Sequence, residues 1–177
     1  SKVSCEDAIR ASGIPHALLR YFNAAGAVPQ ARLGERHEPE THLIPLALRA
    51  RVSGKALTIF GTDYATPDGT CIRDYIHVLD LADAHLRALT HLEKGQPSGA
   101  WNLGTGGGAS VNEVIRSVER VTDGRVPVVE GARREGDPPA LVANALPAQR
   151  ELGWHPTHSE LDRIIADAWA YERGDVV

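Results

Sequence analysis

The stretch T-C-I-R-D-Y-I-H-V-L-D-L-A-D-A, from Thr70 to Ala84, joins a charged turn to a strand and then to a helix. Residues 75–78 are β-branched or aromatic in the main, which favours a strand. Asp80 is a suitable helix cap, because its short side chain can accept a hydrogen bond from a first-turn N–H group. Apolar residues then recur at helical spacing, at Leu81, Ala82, Leu86 and Leu89. The stretch predicts a strand followed by a helix with one apolar face.

Strands and helices alternate over the rest of the chain. Further strands are expected at 16–22, which reads as buried, and at 56–60, 100–103 and 126–130. Helices are expected at 3–12, at 43–52 after a cap at Thr41, near 147–152, and after a cap at Ser159. Ser110 and Glu113 form an S-x-x-E capping box, and 23–41 is expected to be a long loop. This alternation indicates the α/β class.

Composition limits the possible functions. The 177 residues carry a net charge of −4 and are 42% hydrophobic, so one domain, or a domain with part of another, is expected without nucleic-acid binding. No apolar run is long enough to span a membrane, and no signal segment is visible. Cys5 and Cys71 lack C-x-x-C spacing, which favours a reducing, cytoplasmic location. Methionine is absent and the chain opens inside a helical pattern, so we expect the carboxyl-terminal portion of a longer protein.

A glycine-rich turn follows the predicted strand 100–103. Gly104, Gly106 and Ala109 fit G-x-G-x-x-A, the pattern of dinucleotide-binding turns. The capping box starts the next helix after Ser110, however, so Ala109 lies outside the helix, where the third small residue of a true fingerprint would not be. We therefore expect no self-contained NAD site here. Backbone N–H groups offered to some other ligand at the helix start are the favoured alternative.

Two further patterns have chemical potential. His37-Glu38 and His42 resemble H-E-x-x-H, but the spacing is one residue too long and Pro39 would break the helix, so no metal site is expected. The loop A-R-R-E-G-D, 132–137, holds two guanidinium groups that could bind phosphate oxygens in pairs. A solvated charged loop is the alternative. The residues alone indicate an α/β domain with arginines suited to phosphate.

Seven motifs in order resemble one family, the UDP-hexose 4-epimerases of the extended short-chain dehydrogenase/reductase superfamily. They are S-K at 1–2, L-L-R-Y-F-N-A-A-G at 18–26, E-T-H-L-I-P at 40–45, I-F-G-T-D-Y-x-T-x-D-G-T at 59–70, R-D-Y-I-H-V-L-D-L-A at 73–82, N-L-G-T-G at 102–106 and A-R-R-E-G-D-P-P-A at 132–140. The resemblance implies an α/β fold that is the carboxyl-terminal part of an extended Rossmann fold with a smaller substrate domain. Residues 1–26 would end the NAD-binding part. Residues 27–177 would mainly form the UDP-sugar-binding domain, with 71–122 partly returning to the Rossmann part.

The resemblance also implies roles for individual residues. Lys2 matches the lysine of a Tyr-x-x-x-Lys pair, which lowers the pKa of the catalytic tyrosine and holds the nicotinamide ribose, and Tyr21 and Phe22 would lie beside the nicotinamide. Substrate contacts are implied for Asn23, His42, Leu43, Thr58, Phe60, Arg73, Tyr75, Val111, Arg134, Asp137 and Leu141. Arg73 and Arg134 would hold the pyrophosphate, with Phe60 at the uracil and Asp137 at a ribose hydroxyl. His42 stands where many relatives carry Asn.

The implied reaction is the reversible inversion of C4 in UDP-glucose and UDP-galactose through a 4-keto sugar, with NAD as the cofactor and a homodimer as the intact parent. Leu141 stands where a larger residue would crowd an N-acetyl group. Two alternatives remain open. The same machinery could act on UDP-pentoses or UDP-N-acetylhexosamines, or the chain could be a non-catalytic UDP-sugar-binding module.

Overall fold

The computed structural model describes residues 2–174, so Ser1 of the S-K motif lies outside the described residues. The helices are α1 (Lys2–Ala11), α2 (Leu43–Ser53), α3 (Val78–Glu93), α4 (Val111–Thr122), α5 (Leu146–Leu152) and α6 (Leu161–Arg173), with a 3₁₀ turn at Pro29–Ala31. The strands are β1 (Ala17–Tyr21), β2 (Asn23–Ala25), β3 (Leu57–Phe60), β4 (Ile72–Arg73), β5 (Tyr75–His77), β6 (Gly99–Leu103), β7 (Ala109–Ser110), β8 (Val128–Gly131) and β9 (Ala140–Leu141).

Most strand pairs are parallel. β1 pairs with β6 from Ala17↔Gly99 to Tyr21↔Leu103, β2 pairs with β5, and β3 pairs with β8. β4 lies between β9, to which it is parallel, and β7, to which it is antiparallel. Parallel pairs need crossover connections, which the helices supply. The predicted α/β class is confirmed, whereas the predicted domain division at residue 27 remains a prediction.

Two apolar clusters hold the elements together. In the first, α2, α4 and α6 bury Leu48, Val114, Val118 and Ile164 against β3. In the second, Trp101 and Leu103 of β6 pack with Ile76 of β5, Ala84 of α3 and Trp154, which follows α5. The indole N–H groups find acceptors, since Trp101 donates to Glu151 at 2.8 Å and Trp154 to the Asp80 carbonyl at 2.9 Å. Both tryptophans are therefore buried without an unsatisfied donor.

The prediction for the start of α3 was wrong in two respects. The strand ends at His77, which is the cap, because its Nδ1 accepts a hydrogen bond from the Leu79 N–H at 3.0 Å. Asp80 lies inside the first turn and its side chain is buried. The buried face also differs. Leu81, Ala84 and Ala88 lie in the core, whereas Ala82, Leu86 and Leu89 are exposed. The buried face of α3 is therefore the stripe of residues 81, 84 and 88.

Two other caps were predicted wrongly, while the capping box is confirmed. α2 is capped at His42 rather than Thr41, without a side-chain hydrogen bond. α6 is capped by Glu160, which accepts from the Arg163 N–H at 2.9 Å. Ser159 instead donates to the buried Asp80 carboxylate at 2.5 Å, and this tertiary contact overrides its local capping preference.

Two predicted segments also differ in the structure. The expected loop 23–41 contains β2 and the 3₁₀ turn. The strand β1 was expected to be buried, but only Leu18 is buried and Tyr21 is 52% exposed. Within residues 2–174, β1 has a strand neighbour on one side only, which leaves much of it accessible.

Candidate functional site

A cavity of about 570 Å³ opens among β2, β3, β4, α2, α4 and α6. Every predicted substrate-binding residue except Leu141 lines it. These residues are Asn23, His42, Leu43, Thr58, Phe60, Arg73, Tyr75, Val111, Arg134 and Asp137. They come from six segments that are far apart in sequence. The fold therefore gathers the predicted residues around one space, while their individual roles remain predictions.

Two of the three arginines in the wall of this cavity, Arg73 and Arg134, are predicted substrate contacts. Arg73, at the end of β4, forms an ion pair with Asp137, and its Nη1 donates to the Ile72 carbonyl at 2.6 Å. Arg134 lies 4.1 Å above the ring centroid of Phe60, a cation–π distance. An aromatic ring beside two cations suits a ligand that combines a flat base with phosphates.

Buried polar groups form another part of the wall. The Asn23 amide donates to the Asp74 carbonyl at 2.8 Å, which fixes its orientation at the cavity. Burial raises the pKa of the Tyr75 phenol far above its ordinary value, so Tyr75 is a neutral hydroxyl. Burial likewise raises the pKa of the Cys71 thiol, so Cys71 remains protonated at neutral pH.

Acidic groups surround His42 at the cavity rim. Its Nδ1 lies 3.0 Å from Oε1 of Glu40 and 3.0 Å from Oε1 of Glu35. Burial would raise the pKa of Glu40, but hydrogen bonds from the backbone N–H groups of His42 and Thr41 outweigh it and lower that pKa. Glu40 is therefore a carboxylate at neutral pH.

The glycine-rich turn after β6 is occupied by the protein's own carboxylate. Asp74, fully buried, accepts hydrogen bonds from the Thr105 N–H at 2.9 Å, the Thr105 hydroxyl at 2.8 Å, the Gly106 N–H at 3.0 Å and the Ala143 N–H at 3.1 Å. A Cβ on Gly104 would lie 2.6 Å from this carboxylate, so the close approach needs glycine. Asp74 thus stands where an anionic ligand would bind, and Arg73 pairs with Asp137 rather than with Asp74.

The N–H groups at the start of α4 are also satisfied internally. Ser110 and Glu113 exchange hydrogen bonds of 2.7 and 3.0 Å in the capping box. Val111 donates to the Cys71 carbonyl and Asn112 to the Thr70 hydroxyl. The expectation that this helix start offers N–H groups to a ligand was therefore wrong. The expectation that Ala109 lies outside the helix is confirmed.

Four predicted residues lie outside the cavity wall. Lys2 is exposed in the first turn of α1, and Leu141 in β9 is 49% exposed. Tyr21 ends β1 and Phe22 follows it. Cofactors of open α/β folds bind at the carboxyl ends of parallel strands, so Tyr21 and Phe22 are placed suitably for one end of NAD. The glycine turn at 104–106 does not fit the pyrophosphate of NAD, because Asp74 uses its donors.

The structure adds wall residues that the sequence did not indicate. Cys71, Glu35 and Tyr171 line the cavity, although none of them belongs to the seven motifs. Tyr171 reaches the cavity from α6 only through tertiary packing, and a Cβ on Gly34 would overlap its ring. No local signal could have identified it.

Across the helices of residues 2–174, none combines the length and apolarity that a membrane crossing needs.

Comparisons with known proteins agree with this arrangement. The family model described as the NAD dependent epimerase/dehydratase family matches residues 1–104. The chain is 51% identical to the UDP-glucose 4-epimerase of Azospirillum brasilense, over 98% of the chain and 51% of that relative's length.

Solved structures give the same picture. The UDP-glucose 4-epimerase from Brucella ovis in complex with NAD is 49% identical, with a TM-score of 0.88 over 96% of this chain and 53% of that chain. The enzyme from Stenotrophomonas maltophila, with bound NAD and formylated UDP-arabinopyranose, is 40% identical, with a TM-score of 0.88 over 97% of this chain and 52% of that chain.

These figures define what the similarity covers. The chain spans about half the length of the relatives that it matches, so their activities are not transferred to it directly. The neighbours share the chain's α/β fold, and the family description names NAD as the cofactor. Because the family model matches more than half of the 177 residues, the chain belongs to the NAD dependent epimerase/dehydratase family.

Proposed function

We propose that this chain is the substrate-binding half of an NAD-dependent UDP-hexose 4-epimerase that interconverts UDP-glucose and UDP-galactose. The observation that carries the proposal is the convergence of Arg73, Arg134, Phe60 and Asp137 on one cavity. Its volume of about 570 Å³ lies in the usual range of small-molecule sites. The names of relatives at about half identity support the same activity.

The cavity residues would divide the work of binding. Arg73 and Arg134 would hold the pyrophosphate through charge-assisted hydrogen bonds, and the Phe60 ring would stack on the uracil. The Asp137 carboxylate would accept a hydrogen bond from a ribose hydroxyl. A firm hold on UDP combined with a looser hold on the sugar would let the sugar present either face for reaction, which an inversion at C4 requires.

Lys2 would act through a tyrosine that precedes it by four positions in the Tyr-x-x-x-Lys pattern. A helical i, i+4 spacing places both side chains on one face, so the ammonium group would lower the pKa of the phenol and favour its use as a base. NAD supplies reversible hydride acceptance in this family. Tyr21 and Phe22 would orient its nicotinamide from the end of β1.

Two measurements test the proposal. Calorimetry of the purified chain with UDP should show binding, because the cavity lies within the described residues. The full-length protein with NAD should convert UDP-galactose to UDP-glucose, followed by nuclear magnetic resonance of the sugar anomeric protons. UDP binding without turnover of any UDP-sugar would favour the non-catalytic binding module. Absence of both would refute the proposal.

The choice of sugar leaves two alternatives, UDP-N-acetylhexosamines and UDP-pentoses. A solved relative contains formylated UDP-arabinopyranose, which supports UDP-pentoses as a candidate class beside the UDP-hexoses. The ratio of kcat/KM for UDP-galactose and UDP-arabinopyranose separates the two.

We also infer a cytoplasmic homodimer for the intact protein. Analytical ultracentrifugation would test the homodimer.

A further inference from the structure

The loop before α2 brings together three side chains that can bind a metal ion, with a fourth beside them. Among residues 2–174, His37, Glu40 and His42 place one nitrogen or oxygen atom each within 4.8 Å of one another. Glu35 joins them, since its Oε1 lies 3.0 Å from Nδ1 of His42. The rings of His37 and His42 meet edge to face with centroids 5.4 Å apart. Two imidazoles and one carboxylate therefore converge on one point, and a second carboxylate lies beside His42.

The spacing of these atoms matches a coordination shell. A tetrahedral ion with bonds of 2.0–2.2 Å separates neighbouring ligand atoms by about 3.3–3.6 Å. The observed separations, from 3.0 Å between His42 and either carboxylate to at most 4.8 Å across the triad, bracket that value. Small side-chain rotations would close the shell.

The position of His42 between two carboxylates also suits a cation. A single Nδ1–H of His42 can donate along only one direction, yet two carboxylate oxygens lie 3.0 Å from it. The Glu35 and Glu40 carboxylates thus face the same ring nitrogen. A divalent cation would satisfy both carboxylates and use the lone pairs of both rings.

The ligands are held in place before any ion binds. Glu40 is almost fully buried, with a side chain 2% exposed, and the N–H groups of Thr41 and His42 donate to its Oε1 at 2.8 Å each. Arg36 anchors the loop on α6, because its Nε donates to the Tyr171 hydroxyl at 2.8 Å. Such outer contacts orient ligands and strengthen metal binding.

We propose that His37, Glu40 and His42, with the Glu35 carboxylate beside them, form a binding site for a divalent transition metal with a preference for nitrogen and oxygen ligands, such as Zn²⁺. The site differs from the helical H-E-x-x-H arrangement excluded above. It lies in a loop and uses Glu40 instead of Glu38. Because Glu35 and His42 also line the cavity, a bound ion would fix the loop at the cavity rim. The proposal is independent of the proposed function.

Titration of the untagged, metal-free protein with Zn²⁺ alone, followed by calorimetry, tests the site. Binding of one ion per chain is expected, with Mg²⁺ giving no comparable heat because it binds imidazole poorly. His37→Ala and Glu40→Gln should weaken Zn²⁺ binding at least about tenfold. The matched controls Glu38→Gln and His155→Ala, which change exposed residues outside the cluster, should bind like the wild type.

Circular dichroism of each variant separates loss of the site from loss of folding. A rise in Tm with added Zn²⁺ should occur in the wild type and the controls and should be much smaller in His37→Ala. His37 is exposed, so we expect this variant to fold. No Zn²⁺ binding by the wild type would overturn the proposal. Equal affinity in all four variants would also overturn it, because an unrelated site would then hold the ion.

Discussion

Arg73 is ion-paired with Asp137, which lies 64 residues further along the chain. The pair is largely shielded, since the side chains are 14% and 27% exposed. Among residues 2–174, Arg134 has no carboxylate partner and faces the Phe60 ring. A pyrophosphate would therefore compete with Asp137 for Arg73, whereas Arg134 is available to it at once.

Arg134→Ala and Arg73→Ala should both weaken UDP binding in the full-length protein. The loss of a charge-assisted hydrogen-bonding group should cost about 1.5–3 kcal/mol, or about 10- to 150-fold in affinity. Calorimetry with UDP measures the change. Arg125→Ala, an exposed arginine outside the cavity, is the control. Unchanged affinity in both variants would show that the arginines do not bind the pyrophosphate.

Leu141→Tyr should narrow the range of sugars. Leu141 pairs with Arg73 in the β4–β9 ladder, which places it near the predicted pyrophosphate contact. The family resemblance places this position beside the sugar, where tyrosine would crowd an N-acetyl group, and hydrophobic sites discriminate small groups by about 1–3 kcal/mol. The parent should prefer UDP-glucose and UDP-galactose, and the variant should lose kcat/KM mainly for the N-acetylated pair. Leu146→Tyr is a control of similar exposure, and equal losses for both sugar pairs contradict the assignment.

Asp74→Asn should destabilise the fold. The carboxylate accepts bonds on both oxygens, and an amide would turn a donor toward either Thr105 or the N–H groups of Gly106 and Ala143. A buried donor left without an acceptor costs about 1–3 kcal/mol. Urea unfolding measures this loss of free energy. Asp123→Asn is the control, because Asp123 is exposed in a left-handed conformation that asparagine also adopts. Similar stabilities of the two variants would show that the Asp74 contacts contribute little.

His77 should make the free energy of unfolding depend on pH near neutrality. Its pKa is lowered from 6.5, first by burial, while Asp167 and Asp80 oppose the shift and His158 adds to it. As the pH falls, the unfolded chain therefore binds this proton before the folded chain does. The free energy of unfolding is unaffected by His77 above about pH 6.5 and declines as the pH falls toward the folded pKa. His77→Asn, which keeps an acceptor for the Leu79 N–H, should reduce this slope in urea unfolding between pH 7.5 and 5.5.

The acidic groups contribute in a separate pH range. The pKa values of Asp68, Asp80 and Asp162 are lowered from 3.8, so their stabilisation is lost only as the pH falls below about 4. An unchanged slope between pH 7.5 and 5.5 in His77→Asn would mean that His77 does not titrate as expected.

The purified 177-residue chain should show no epimerase activity and should not retain NAD. The chain spans about half the length of its relatives. Within residues 2–174, the backbone N–H groups of the glycine-rich turn are bonded to Asp74 and do not face a cofactor phosphate. An assay with UDP-galactose and added NAD, together with an absorbance spectrum of the purified chain, checks both points. Measurable turnover by this chain would contradict the prediction.

Local features were predictable because their causes lie within a few residues. The capping box of Ser110 and Glu113 and the alternation of strands and helices need only neighbouring residues. The motifs also indicated, through resemblance, which residues gather at the cavity.

Contacts between distant segments were decided by the tertiary structure alone. Asp80 and Ser159 each suit a helix cap, yet they bond to each other across 79 residues, because a buried carboxylate must be satisfied by whatever donors the packing supplies. Asp74 fills the glycine turn for the same reason, and Glu35 and Glu40 meet at His42 only in the folded loop. The sequence by itself determined the α/β class, the capping box of α4 and the family, since these depend on short patterns. Only the folded chain decided which polar groups are used internally and which remain available to a ligand, because burial and distance are properties of the packed structure.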